Sequence, residues 1–185
     1  MKILYIHGYN GSPAGQKVAR VQQAYPMAEV IALQHDSVPE RVFALLDPIA
    51  SKLDALEDAI IGNSLGGFWA NYFSSRYGAA ALLINPVVSP VNTLKRLGCD
   101  FAESYSPYEQ IDPEVISTRS VLLAKDDQVL PFQDAYEYFK DTCDVQLLKS
   151  GGHSMNDEKS LNSIIRSFDR LISNRLLASV TKSNI

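Results

Sequence analysis

Short apolar runs alternate along the chain with stretches whose apolar positions recur every three or four residues, a pattern that predicts buried strands separated by amphipathic helices. Lys2–Ile6 is the first such run, and 29–33, the segment ending at Ile60 and Ile61, 79–84, 120–124 and 145–148 predict five more. Between them, Ala14, Val18, Val21 and Tyr25 share one helical face, with Ser12 as the expected cap and Pro13 as the first helical residue. A second face runs through Val42, Leu45, Leu46, Ile49, Leu53 and Leu56, and Pro48 should kink it or restart it with Asp47 as a new cap. Leu65, Phe68, Trp69, Tyr72 and Phe73 mark a third helix and Phe132–Phe139 another. A capping box of Ser154 and Asp157 should start the last helix, with Leu161, Ile164, Ile165, Phe168, Leu171 and Ile172 on its buried face.

Residues 87–118 break this rhythm. The stretch 90–97 reads as helix, 104–107 as loop and 113–117 as a further helical turn, so the segment is expected to form a small insertion over the site. Strand and helix otherwise alternate, which predicts one α/β domain over 1–175: a mostly parallel sheet of about six strands with helices on both faces. Residues 176–185 are expected to form a tail that frays, most clearly from Ser179.

A length of 185 residues suits one domain, and 46% hydrophobic with 21% charged residues describes a globular chain. The net charge of -4 gives no basic footprint for nucleic acid. No apolar run approaches a membrane span, and Met1 leads into an apolar strand without a signal pattern, so no membrane partner and a cytoplasmic location are expected. Cys99 and Cys143 read as free thiols, and Asn10-Gly11-Ser12 as a turn. An alternating sheet also suits nucleotide-binding folds, but 11–17 lacks the P-loop spacing and no G-x-G-x-x-G follows the first strand. Scattered histidines and unspaced cysteines give no metal site, and no cofactor is expected.

The chemistry concentrates at Gly62-Asn63-Ser64-Leu65-Gly66, a G-x-S-x-G string set where a strand runs into a helix. At such an elbow the serine takes strained angles, and the flanking glycines remove side chains that would collide with strand and helix. A serine hydroxyl needs a base, and the base needs an orienting acid. Of three histidines, His7 lies in an H-G-x loop that shapes the backbone, and His35 reads as a solvated loop residue. His153 follows the last strand behind Gly151 and Gly152, where its loop can fold over the sheet top.

The acid should lie in the loop 125–131, after strand five. Asp127 gives the chain order Ser64, Asp127, His153, the order of α/β-hydrolases, while the adjacent Asp126 lies where the chain turns. Backbone N–H groups of Leu65 and Tyr9 are the expected oxyanion donors.

The stretches Leu-Tyr-Ile-His-Gly-Tyr-Asn-Gly-Ser-Pro (4–13), 62–72, Leu-Ile-Asn-Pro-Val-Val-Ser-Pro (83–90), 127–130 and 151–153 resemble the YqiA/YcfP-like esterases, a compact α/β-hydrolase group. The resemblance implies a reduced hydrolase sheet without its first two antiparallel strands, and hydrolysis of short acyl esters or thioesters. Where that family often has glycine before the acid, this chain has Asp126. The same triad also serves peptidases and acyltransferases, and a vestigial triad would leave a binding protein on the same fold.

Overall fold

The computed structural model describes residues 1–111 and 118–182. Six strands, β1 (Lys2–Ile6), β2 (Glu29–Ala32), β3 (Ala59–Asn63), β4 (Ala80–Ile84), β5 (Arg119–Ala124) and β6 (Asp144–Leu148), form one sheet in the order β2-β1-β3-β4-β5-β6. Every pairing is parallel, so each strand returns through a crossover that covers a sheet face. Successive side chains of a strand point to opposite faces, and β1 divides accordingly. Leu4 and Ile6 join a core with Leu46, Ile60, Trp69 and Phe73, whereas Ile3 and Tyr5 join one with Val18, Ile61, Leu82 and Phe168. The central strands β3 and β4 are buried almost throughout, which explains their unbroken apolar sequence.

The helices are α1 (Gln16–Ala24), α2 (Pro39–Ala50), α3 (Leu65–Tyr77), α4 (Pro90–Arg96), α5 (Phe132–Phe139) and α6 (Glu158–Lys182). Several ends differ from those predicted. Helix α1 starts at Gln16 behind Gly15, because residues 8–11 close a tight turn, Gly11 N–H to Gly8 O at 3.0 Å, and Ser12 Oγ accepts from Ala14 N–H within the loop. Pro48 does not restart α2; it sits in the last turn, where only one helical bond is lost, and Asp47 instead accepts the Tyr77 hydroxyl at 2.5 Å. Leu53 and Leu56 therefore lie beyond the helix. At α6 the cap is Asp157, whose Oδ1 accepts the Ser160 N–H at 3.0 Å, and Ser154 lies outside. The helix runs to Lys182.

Residues 102–108 are a 3₁₀ helix where a loop was predicted. Tyr105 explains it. Its hydroxyl donates to Ser37 O at 2.8 Å and accepts from Trp69 Nε1 at 3.3 Å, and its ring packs against Phe68 and Trp69. This fully buried tyrosine pins the insertion to α3. The helical turn predicted at 113–117 lies outside the described residues.

Candidate active site

The elbow between β3 and α3 depends on two glycines with no room for a side chain. A Cβ on Gly62 would overlap Gly66 O and sit 2.6 Å from Ala70 Cβ, and one on Gly66 would overlap Ile6 O. Between them Ser64 has φ 55° and ψ -119°, a conformation an L-residue rarely takes. The surrounding backbone holds it there: Ser64 N–H donates to Ile84 O at 2.9 Å, and Ser64 O accepts from Gly67 and Val87.

Ser64, Asp127 and His153 meet at the C-terminal ends of β3, β5 and β6. His153 Nε2 lies 3.1 Å from Ser64 Oγ, and its Nδ1 lies 2.8 Å from Asp127 Oδ2. Burial pushes the Asp127 carboxyl up, but bonds from His153 and from the Leu130 and Val129 N–H groups outweigh it and hold the group below its ordinary value. An ionised carboxylate only accepts, so Nδ1 of His153 donates and Nε2 is left bare, facing the Ser64 hydroxyl. The Asp127 side chain is 1% exposed, and its Oδ1 is fixed by Val129 N–H at 2.8 Å and Leu130 N–H at 2.9 Å.

Asp126 is engaged elsewhere: its two oxygens accept from Gly152 N–H at 2.9 Å and Gly151 N–H at 3.3 Å. Gly151 and Gly152 both have positive φ, 147° and 59°, so the loop that delivers His153 needs them. Asn85, at the end of β4, also holds this loop. Its Nδ2 donates to Gly152 O at 3.1 Å and His153 O at 3.2 Å, while its Oδ1 accepts from Ala124 N–H at 2.9 Å. In the sequence Asn85 stands out only as part of the 83–90 motif stretch; an asparagine placed before Pro86 at a strand end was the available signal.

A cavity of about 210 Å³ opens beside these groups, lined by Tyr9, Ser64, Leu65 and His153 together with apolar side chains from Val87, Leu94 and Leu130. Leu65 is the first residue of α3, where N–H groups lie beyond the helical bonding pattern. Tyr9 reaches the cavity from the loop after β1. Helix α4 supplies one wall, and Glu109 holds its start through Val91 N–H at 3.0 Å. Phe68 and Trp69 belong to the buried core.

The other two histidines stack on each other, ring centroids 3.8 Å apart and 5° from parallel. His7 Nδ1 donates to Gly8 O at 2.8 Å, which leaves Nε2 to accept from His35 N–H at 3.4 Å and shapes the loop toward Tyr9. His35 is a correction to the solvated reading: it is buried beneath that stack, and desolvation with the neighbouring His7 lowers its pKa to about 4. Cys99 and Cys143 are free and half-buried. Among the described residues, no helix is long and apolar enough to cross a membrane, and no group of three metal-ligating side chains occurs.

Residues 2–169 match the uncharacterised protein family UPF0227. The chain belongs to that family. The YqiA/YcfP-like motifs are those of the same family. A UPF0227 protein of Shewanella woodyi is 30% identical over 110 residues, 56% of this chain and 60% of the relative, so the chain matches less than two thirds of that relative's length. Among solved structures, mouse alpha/beta hydrolase domain-containing protein 10 superposes with a TM-score of 0.72 at 16% identity, over 94% of this chain and 90% of the other. A pyrethroid hydrolase from Sphingobium faniae gives 0.67 at 16% identity, over 92% and 97%. At these identities the likeness establishes the α/β-hydrolase fold.

Proposed function

We propose that this UPF0227 chain is a serine hydrolase that cleaves short-chain acyl esters or thioesters through an acyl-enzyme on Ser64. The observation that carries the reading is the bridge made by His153, 2.8 Å from a buried carboxylate on one side and 3.1 Å from Ser64 Oγ on the other. Ser64 Oγ attacks the acyl carbon as His153 Nε2 takes its proton, and the imidazolium is stabilised by Asp127. Negative charge on the carbonyl oxygen meets the N–H groups of Leu65 and Tyr9. Collapse releases the alkoxide or thiolate, which leaves with the proton from His153. Water, deprotonated by the same nitrogen, then attacks the acyl-enzyme to release the acid and restore Ser64.

The cavity favours a small acyl group. Its roughly 210 Å³ falls below the range of about 300–1,000 Å³ typical of pockets for drug-sized ligands. Helix α4 and the 3₁₀ helix are fastened by Glu109 and Tyr105, which supports a fixed wall. The reading is tested with a fluorophosphonate probe, followed by turnover of p-nitrophenyl esters and acyl-CoA thioesters of graded length. Labelling of Ser64 that Ser64→Ala abolishes, with highest kcat/KM on short chains, is the expected result. A folded protein whose Ser64 stays unlabelled would support a vestigial site, and a long-chain optimum would remove the small-acyl assignment.

A further inference from the structure

Behind the loop that carries Tyr9 lies a second cavity, of about 180 Å³, lined by Gly8, Gly11, Ser12, Lys17, Asn63 and Asn156 among others. Lys17 is 8% exposed, and its Nζ donates to Asn156 Oδ1 at 2.9 Å. Among the described residues it forms no ion pair with a carboxylate. Desolvation lowers its pKa to about 8, so the side chain still carries most of its charge at neutral pH. A buried cation without a counter-charge is expensive, and an ammonium has three N–H groups of which Asn156 accepts one.

The neighbouring groups have the same polarity. Helix α1 begins at Gln16 on the cavity wall, with no side-chain cap at its N-terminus and no acidic residue in its first turn, so backbone N–H groups and the positive end of the helix face the same region. Asn63 lies on the cavity wall, while its Oδ1, buried and without a hydrogen-bond partner among the described residues, is closed off from that space. A cavity this size exceeds the roughly 30 Å³ share of one water several-fold. It therefore sets a cation and backbone N–H donors around a small volume, with the polar side chains of His7 and Ser12 on the same wall.

We propose that this cavity binds a phosphate-type oxyanion, either inorganic phosphate or the head of a phosphate monoester, with Lys17 as its counter-charge. The anion would neutralise the buried ammonium and lie against the loop from Gly8 to Gly15.

The test is thermal unfolding and isothermal titration of the wild-type protein with sodium phosphate, sodium sulfate and glycerol 3-phosphate, against sodium chloride at equal ionic strength. Phosphate should raise the midpoint saturably by a few degrees, on the scale that one occupied site produces in a chain of this size, and sulfate, which offers the same tetrahedral set of acceptor oxygens, should do so as well. A tighter response to glycerol 3-phosphate assigns the site to a monoester, and a weaker one to the free ion. Lys17→Met should abolish the response. Asn156→Asp, which gives Lys17 an internal carboxylate at an exposed position, should abolish it too, and it decides the matter if Lys17→Met does not fold. No saturable shift with phosphate in the wild type, or an undiminished response in Asn156→Asp, would overturn the proposal.

Discussion

Asp126 and Asp127 are neighbours whose carboxylates serve one loop at two points: Asp126 accepts the Gly151 and Gly152 N–H groups, and Asp127 accepts His153 Nδ1. Adjacent residues leaving a strand point apart, so one carboxylate builds the turn and the other meets the imidazole.

Their substitutions should therefore fail differently. Asp127→Asn presents an amide to Nδ1 and favours the wrong tautomer, so kcat should fall by up to about 10⁴. Asp126→Asn keeps one carbonyl acceptor for Gly152 N–H and should cost less than about tenfold, acting through the position of His153. Steady-state kinetics with matched unfolding curves measures both. A dead Asp126→Asn beside an active Asp127→Asn would exchange the two roles.

Asn85 makes three bonds that join β4, β5 and the His153 loop. Asn85→Ala leaves the buried Ala124 N–H unpaired and should cost about 2 kcal/mol of stability. Because the lost bonds hold the proposed base, His153, rather than a substrate, kcat should fall by about tenfold or more while KM moves little. Urea unfolding and kinetics on one ester separate the effects. A change confined to KM would place Asn85 at the substrate instead.

The parts of this site that could be read in the sequence are those fixed by local geometry. Gly62 is demanded by Gly66 and Ala70 a few residues away, Gly66 falls at the fixed spacing of the same turn although the atom it must clear is Ile6 O on β1, and the order Ser64, Asp127, His153 follows from which strand ends lie at the top of a parallel sheet. What could not be read depends on distant partners. His35 is buried because β2 sets it beside His7, and Lys17 because Asn156 comes to it from the far end of the chain. Ser154 and Asp157 are both competent caps, and the choice fell to Asp157 because it faces the Ser160 N–H. Tyr105 anchors a polar-looking segment as a 3₁₀ helix through a bond to Ser37, a residue with no pattern to announce it.

Leu97 is half exposed and lines the mouth of the 210 Å³ cavity. Leu97→Trp should narrow the mouth at little cost to the core. Each methylene in a tight apolar pocket is worth about 1–3 kcal/mol, so kcat/KM for a hexanoyl ester should drop roughly tenfold or more relative to an acetyl ester. Equal losses on both esters would mean that the acyl chain lies elsewhere.

His35 makes the stability of the fold sensitive to acid. Both its ring nitrogens are buried and without hydrogen-bond partners among the described residues, and its pKa is lowered to about 4. In the unfolded chain the same imidazole binds a proton near its ordinary value of 6.5. Between these values the unfolded state holds more protons than the native one, so stability rises with pH there and is lost as pH falls from about 6.5 toward 4. At about 1.4 kcal/mol per pH unit the loss is of the order of 3 kcal/mol. His35→Phe keeps a flat ring against His7, removes two unsatisfied polar atoms and cannot take up a proton. Its stability at pH 7 should equal or exceed that of the wild type, and its advantage should widen steadily on acidification to pH 4. Urea unfolding of both proteins across that range gives the comparison, and a constant difference between them would mean that His35 titrates alike in the folded and unfolded chains.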